Sequence, residues 1–395
     1  MPARRREPAT VVGAGLAGLT CAFLLARQGR TVTLVASRVE RGAPALVLSE
    51  PTVALLRAVW EDPGRTLLCD SWALKSRCVR WGVGVPEQQV PQPSLVVEPR
   101  RLLRRLEDRL LTACSPRVRR VEQDADAEAQ ERAAEGGWRV YAYRGPGGSC
   151  APDGGSPPAV GRRCVLNARA RLTPGSPSTT SWLTTTPLAW VYLAPVGDGW
   201  ALVQAMTPAP PGDPVGVLSD VLAVSGTDHR LVEPPREVAV VPAAPWLASP
   251  SCGPGWLGVG GAALRLDPLS GAGAGHALRT AVLAAATVQA VDDGLPAGAG
   301  LDHYAKRLGV AFLDHLSNCL SWYRTAFAIP QWQDELDAMG LTVAAGRRQP
   351  GRHRFDLRLQ GTRLVRCQAA LASPTSLGVH DDVTAIGGDA LAAPP

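Results

Sequence analysis

The stretch that decides the fold is ATVVGAGLAGLTCAFLLARQGRTVTLVA, residues 9–36. Thr10, Val11 and Val12 form a short run of β-forming residues, and Leu19 to Arg27 continue at helical spacing. Gly29 ends that helix, and Thr31 to Val35 supply a second strand. Between the first strand and the helix stand Gly13, Gly15 and Gly18 in GxGxxG spacing. In a turn that holds a pyrophosphate each glycine has its own task. The first permits the tight turn, the second lets the ligand approach the backbone, and the third lets helix and strand pack closely. The free N–H groups of the helix start then point at the phosphates. GxGxxG alone is weak, but between a strand and a helix, with a second strand arriving on time, it predicts a dinucleotide site.

Working outward, helical and strand patterns alternate. Residues 44–60 read as a connection and a helix carrying Leu55, Leu56 and Trp60, and Cys78–Val85 as a strand. Pro99–Cys114 has Leu102, Leu103, Leu106 and Leu110 on one helical face. Residues 122–136 are polar and acidic, and residues 145–158 are rich in Gly, Pro and Ser, so both read as surface segments. Ala189–Pro195 and Trp200–Met206 flank Val196-Gly197-Asp198-Gly199, a hairpin signal, and Glu237–Val241 reads as another strand. Residues 256–290 give a strand, a glycine-rich loop and a long alanine-rich helix. Residues 301–327 are helical, and the alternation of Phe355, Leu357 and Leu359 predicts a last strand.

Composition narrows the function. With 46% hydrophobic and 19% charged residues, the 395-residue chain has enough apolar material for a large two-lobed core. The net charge of +6 is diffuse and almost wholly arginine, since Lys75 and Lys306 are the only lysines, which argues against a nucleic-acid partner. The nine cysteines are scattered without a CxxC pair, a pattern suited to buried thiols in a reducing compartment. The histidines show neither HxH nor HxxxH spacing, so no metal site is expected. No run approaches the ~20 apolar residues that span a bilayer, and the first apolar stretch is a strand–turn–helix instead of a secretory leader. A cytoplasmic protein is the expectation.

A second glycine loop, WLGVGGAALRLDPLSGAGAGHAL at residues 256–278, again sends a strand into small residues that open a helix. Such a helix start stabilises negative charge without a titrating side chain, which suits the N1–C2=O edge of a reduced flavin. Taken with GAGLAG, the segment VGGAALRLDPLSGAGAGHALRTA (residues 259–281) resembles the FAD-dependent monooxygenase and flavin-dependent halogenase superfamily, whose fold is p-hydroxybenzoate-hydroxylase-like. The resemblance is strong over the first ~40 residues and over residues 255–285, and does not extend to the last ~70. It implies an α/β fold: a Rossmann-like FAD-binding domain (1–80, 96–170 and 250–330), an inserted antiparallel-sheet substrate domain (81–95 and 171–249) and a C-terminal helix/strand extension (331–395). It also implies FAD contacts at Gly13, Gly15 and Gly18, and at Asp267, Pro268, Gly271 and Gly273 around the flavin ring.

Two positions depart from the family pattern. Ala36 stands where the family has an acid for the adenosine ribose, leaving Ser37 and Arg38 as the polar candidates there. Gly261 stands where the family has an aspartate. Each lost polar contact weakens FAD binding by roughly 1–3 kcal/mol, and the Ala–Ser–Arg ending leaves NADP open as a ligand of the first loop. For catalysis the candidates are His276, which opens the helix beside the flavin loop, and Lys75 in LKSRCVRW, which resembles the lysine segment of the halogenases. Trp190-Val191-Tyr192-Leu193-Ala194-Pro195 is a degraded form of their WxWxIP motif, and Trp182, Trp190, Tyr192 and Trp200 are candidates for an aromatic substrate wall. The expected function is an FAD-dependent monooxygenase acting on a small organic or carrier-bound substrate. Reducing equivalents would come from NAD(P)H, directly or through a separate flavin reductase. Alternatives are a flavin-dependent halogenase, a flavin enzyme acting on isoprenoids, and a non-catalytic homologue that binds a partner.

Overall fold

The computed structural model describes residues 6–36, 45–122, 137–143, 158–327, 329–348 and 357–366. The opening stretch folds as expected, with β1 (Ala9–Val12), α1 (Leu16–Arg27) and β2 (Val32–Ala36), and β1 pairs in parallel with β2. These strands centre one sheet with β6 (Val118–Glu122), β7 (Trp138–Tyr141), β14 (Cys252–Gly253) and β15 (Trp256–Gly258). Its order is β14–β15–β7–β1–β2–β6, parallel throughout except for the β14–β15 edge hairpin. Parallel strands need crossover connections, and α1 supplies the first of them.

A second, eight-stranded sheet runs in the order β12–β8–β11–β10–β9–β4–β5–β3. Its strands are β3 (Leu46–Ser49), β4 (Trp72–Arg80), β5 (Gln88–Val97), β8 (Cys164–Arg171), β9 (Thr180–Thr185), β10 (Trp190–Gly197), β11 (Trp200–Thr207) and β12 (Ala239–Pro242). It is antiparallel apart from the β4–β9 pair. The α/β architecture with a Rossmann-like sheet and an additional sheet is therefore as expected. The strand membership differs: β3 and β4 lie within residues 1–80 and β8 all but its last residue within 96–170, yet they belong to the second sheet. Prolines hid part of it. Pro91 and Pro93 of β5 stand at a register shift where two β5 residues, Gln92 and Pro93, oppose Lys75 of β4, so the ladder tolerates two residues that donate no hydrogen bond. The strand expected at Cys78–Val85 instead ends at Arg80, because Gly82 (φ 109°) turns the chain toward β5.

Two short ribbons, β13 (Trp246–Leu247) with β16 (Leu264–Arg265) and β17 (Leu357–Gln360) with β18 (Arg363–Arg366), complete the strands among the described residues. The helices are α2 (Glu50–Val59), α3 (Pro99–Ala113), α4 (Pro214–Ser225), α5 (Gly273–Asp292), α6 (Ala297–Ala326) and α7 (Pro330–Arg347). Apolar burial explains their placement. Buried α1 residues such as Leu19, Cys21 and Leu25 lie between the parallel sheet and α5, whose Ala281, Ala284 and Ala285 permit close approach. Leu218, Val221 and Leu222 of α4 cover one face of the second sheet against Leu166, Val191 and Val203. The opposite face carries Leu183, Trp190, Tyr192 and Leu202 and looks toward the helix start of α5. No helix among the described residues is long and apolar enough to cross a membrane. The acidic 123–136 stretch and most of the Gly/Pro/Ser-rich one lie outside the described residues.

Candidate functional site

The three fingerprint glycines divide their tasks as the turn requires. Gly13 has φ +108°, and a Cβ there would lie 2.7 Å from the Cβ of Tyr143. A Cβ on Gly18 would sit 1.8 Å from the Gly13 carbonyl oxygen, so this glycine fixes the closeness of helix and strand. A Cβ on Gly15 would meet nothing within 4 Å. That open space faces the start of α1, where no side chain caps the helix and no acidic residue stands in the first turn. The uncapped amides and the open glycine together form a cradle for an anion. At the end of β2, Ala36 is buried and pairs in register with Glu122 of β6. Ser37 and Arg38 lie outside the described residues.

The second glycine loop meets the first. A Cβ on Gly260 would lie 2.6 Å from the Cβ of Ala17 in α1, and the Gly260 N–H donates to Thr280 Oγ1 at 2.9 Å. Positions 261, 271 and 273 open onto space, with no atom within 4 Å of a Cβ at any of them. Gly271 takes φ +62° where the turn over Pro268–Ser270 ends, a conformation suited to glycine. The chain then enters α5, whose first turn also has no side-chain cap and no acid.

Asp267 is placed otherwise than the family motif implies for a ring contact. Its carboxylate is 1% exposed and turned inward. It accepts from Arg163 Nε at 2.7 Å, from the Leu269 N–H at 2.9 Å, and from the Tyr323 hydroxyl at 3.1 Å. Arg163 also donates to Glu335 Oε2 of α7 at 2.5 Å. Burial opposes the charge of Arg163, but Asp267, then Tyr323 and Glu335, more than offset it, and its pKa lies above the ordinary arginine value. The Asp267 N–H donates to His315 Nε2 at 2.7 Å, which keeps that ring nitrogen an acceptor; burial, with Arg163 adding against Asp267, holds His315 down to about 4. The Trp190 Nε1–H donates to the Tyr323 hydroxyl at 3.0 Å. One buried network thus ties the Pro268–Ala274 loop and a tryptophan of the second sheet to α6 and α7. Asp267 positions the loop; Pro268, Gly271 and Gly273 line the space beyond it.

That space is a cavity of about 430 Å³ between the loop and the second sheet. Leu183, Trp190, Tyr192 and Leu202 line the sheet wall, and Arg279 and Thr52 the helix wall. Of the four aromatics expected there, Trp190 and Tyr192 are present. Trp182 packs on the opposite sheet face beneath Arg230, and Trp200 stacks under Arg169 and Arg171. Lys75 is exposed and borders a different depression, beside Glu50, Ala54 and Arg57. The β-bulge at Lys75 explains this, because it shifts the alternation and brings Arg77 into the cavity instead. His276 is 7% exposed, and its Nε2 has no hydrogen-bond partner among the described residues. Burial, aided by Arg279 and His315, pushes its pKa down to about 3, so it is neutral and is not among the cavity-lining residues.

Arg163, Tyr323 and Glu335 carry no local sequence signal, since Arg163 lies far in sequence from the two helices that bear the others and the group acquires meaning only when packed. Arg77 is likewise hidden, although the segment LKSRCVRW stands out for its lysine. A test by alternation from Trp72 would still have failed, since the bulge breaks it. No group of His, Cys, Asp and Glu among the described residues could hold a metal.

Residues 11–42 match the family model of the NAD(P)-binding Rossmann-like domain. No curated protein matches the sequence. Among solved structures, the peptidyl tryptophan dihydroxylase QhpG, essential for tryptophylquinone cofactor biogenesis, is 22% identical with a TM-score of 0.67, covering 92% of this chain and 86% of that one. CmlS, a flavin-dependent halogenase, is 17% identical with a TM-score of 0.68 over 87% of this chain and 70% of that one. The myxobacterial chondrochloren halogenase CndH, an FAD-dependent enzyme, is 14% identical with a TM-score of 0.67 over 88% and 91%. The glycine cradle, the second sheet and these likenesses lead to one conclusion: the chain has a Rossmann-like fold with an added sheet, shared with flavin-dependent halogenases and a peptidyl tryptophan dihydroxylase.

Proposed function

We propose that this protein is an FAD-dependent monooxygenase acting on an organic substrate held in the cavity between the Pro268–Ala274 loop and the second sheet. The observation that carries the reading is the pair of glycine loops with open backbone at Gly15, Gly261, Gly271 and Gly273, the last two bordering a cavity walled by Trp190 and Tyr192. A non-catalytic scaffold has no need to keep these positions free of side chains. FAD fits the groups present: the α1 start and Gly15 would hold its pyrophosphate, and Pro268, Gly271 and Gly273 would border its ring. Bound and reduced, FAD would supply the two electrons that activate O₂, one atom of which goes to the substrate while the other leaves as water.

The protein's own part is binding and orientation. The positive end of α5, with Arg279 on the same helix, favours negative charge at the loop. Leu183, Trp190 and Leu202 offer an apolar wall that excludes water. The Asp267 network keeps loop and wall in fixed relation, because Trp190 and the loop share Tyr323 as a brace. Reducing equivalents come from NAD(P)H, directly or through a separate flavin reductase.

The position of Lys75 favours oxygenation over halogenation. A halogenase needs a lysine to hold the oxidised halide, and Lys306 lies on the surface of α6, paired with Asp302 at 2.7 Å. The test supplies FAD, a reductant, O₂ and bromide to the wild type and to Lys75→Met, with aromatic substrates read by mass. Oxygenated product of equal yield in both is expected. A brominated product that disappears in Lys75→Met would replace the monooxygenase reading with the halogenase one.

A further inference from the structure

The charge lining of the cavity is one-sided. Arg77, Arg265 and Arg279 border it, and no aspartate or glutamate does among the described residues. Elsewhere the chain pairs its buried arginines: Arg30 with Asp292, and Arg163 with Asp267 and Glu335. Arg265 donates to the Pro242 carbonyl at 3.1 Å. Arg77, by contrast, has no carboxylate or carbonyl partner among the described residues; its buried Nε makes no hydrogen bond, as is also true of the Arg30 Nε. Its guanidinium lies 5.2 Å from the centre of the Tyr192 ring, which holds the fork against the cavity wall. The Tyr192 side chain is itself only 8% exposed, and its hydroxyl too is buried without a partner. Buried polar groups are ordinarily hydrogen-bonded, so two neighbouring ones without partners among the described residues, on residues that line a cavity, mark this wall as one suited to a hydrogen-bonding ligand.

We infer that this wall is a carboxylate subsite: Arg77 and the Tyr192 hydroxyl hold the acidic group of an organic-acid substrate. A guanidinium offers parallel N–H donors that match a carboxylate bidentately, and a phenol adds a third donor from the side. The absence of acids from the lining repels no anion and leaves a cationic substrate without a counter-charge. The apolar stretch of Leu183, Trp190 and Leu202 would then take the body of the acid, presenting it to the loop on the opposite wall. An acid anchored at one end reaches the loop in one orientation, which is what selective oxygen transfer requires.

This inference rests on the oxygenase reading for its meaning, but its test does not. Benzoate and indole-3-carboxylate, each beside its primary amide, are titrated calorimetrically into the wild type, Arg77→Met, Arg77→Lys and Tyr192→Phe, with and without FAD. The acids are expected to bind the wild type at least tenfold more tightly than the amides. Arg77→Met should erase that preference, Arg77→Lys should keep part of it, and Tyr192→Phe should reduce it. Melting temperatures control for folding, and Arg77→Met should melt with the wild type because Arg77 makes no ion pair. Equal affinity for acid and amide, failure of both acids to bind, or an acid preference surviving in Arg77→Met would each overturn the subsite. Acid preference in a protein that binds no FAD would keep the subsite and sink the oxygenase. FAD binding without acid preference would do the reverse.

Discussion

Replacing Asp267 by asparagine tests whether the buried network holds the flavin loop. The carboxylate is 1% exposed and accepts from Arg163, Leu269 and Tyr323. Asparagine keeps the shape and one acceptor but removes the charge opposite a guanidinium with no solvent access. Breaking a buried pair from one side costs about 3–5 kcal/mol, and Glu335, 2.5 Å from the same guanidinium, keeps the loss toward the lower figure. Arg163→Met should cost more, because it leaves Asp267 and Glu335 as two buried carboxylates with no cation. Tyr323→Phe should cost about 1–3 kcal/mol, since the Trp190 N–H loses its acceptor and Asp267 a donor. The predicted order of destabilisation is Arg163→Met, then Asp267→Asn, then Tyr323→Phe, measured by urea unfolding followed through tryptophan fluorescence. Asp267→Asn and Tyr323→Phe share a hydrogen bond, so the double variant should fall short of additivity by at least about 0.5 kcal/mol. A cost below about 1 kcal/mol for Asp267→Asn, or strict additivity, would refute the bracing role.

His276 makes stability depend on pH. The native side chain stays neutral down to about 3, whereas the unfolded chain takes up its proton below 6.5. Between those values the unfolded state binds more protons, so stability rises with pH there and falls on acidification. Between pH 8 and pH 5 the wild type should lose about 2 kcal/mol more than His276→Leu does, and parallel denaturation curves at the two pH values would contradict this. Gly18→Ala places a Cβ 1.8 Å from the Gly13 carbonyl oxygen, a backbone atom with no room to yield. It should therefore destabilise the fold by several kcal/mol, and a variant melting with the wild type would contradict the packing role of that glycine.

The sequence disclosed local features well and distant ones poorly. The β1–α1–β2 unit and both glycine loops were legible because their signals, glycine spacing and apolar periodicity, lie within ~30 contiguous residues. The β10–β11 hairpin was legible for the same reason, since Gly197, Asp198 and Gly199 mark its turn. The rest of the second sheet was harder. β3 and β5 pair residues 45 to 51 positions apart, and β5 carries two prolines where the ladder with β4 bulges opposite Lys75. That bulge also decided the fate of the two basic residues: Lys75 faces outward and Arg77 inward, which alternation alone cannot reveal. Asp267 stands out in the sequence as a flavin contact, while its bracing role is hidden there because Arg163, His315 and Tyr323 meet it only in the folded chain.

The most direct test of the central claim is titration of the purified protein and of Gly15→Val with FAD, followed by flavin absorbance and fluorescence quenching. Gly15 has φ −76° and ψ 179°, a backbone that valine adopts readily, and no atom lies within 4 Å of its Cβ position. The variant should therefore fold and melt near the wild type while a side chain occupies the space the pyrophosphate needs. One FAD bound per wild-type chain, turning the protein yellow, and none bound by folded Gly15→Val is the result expected. A wild type that takes up no FAD, or a variant that takes it up with unchanged affinity, would contradict the account.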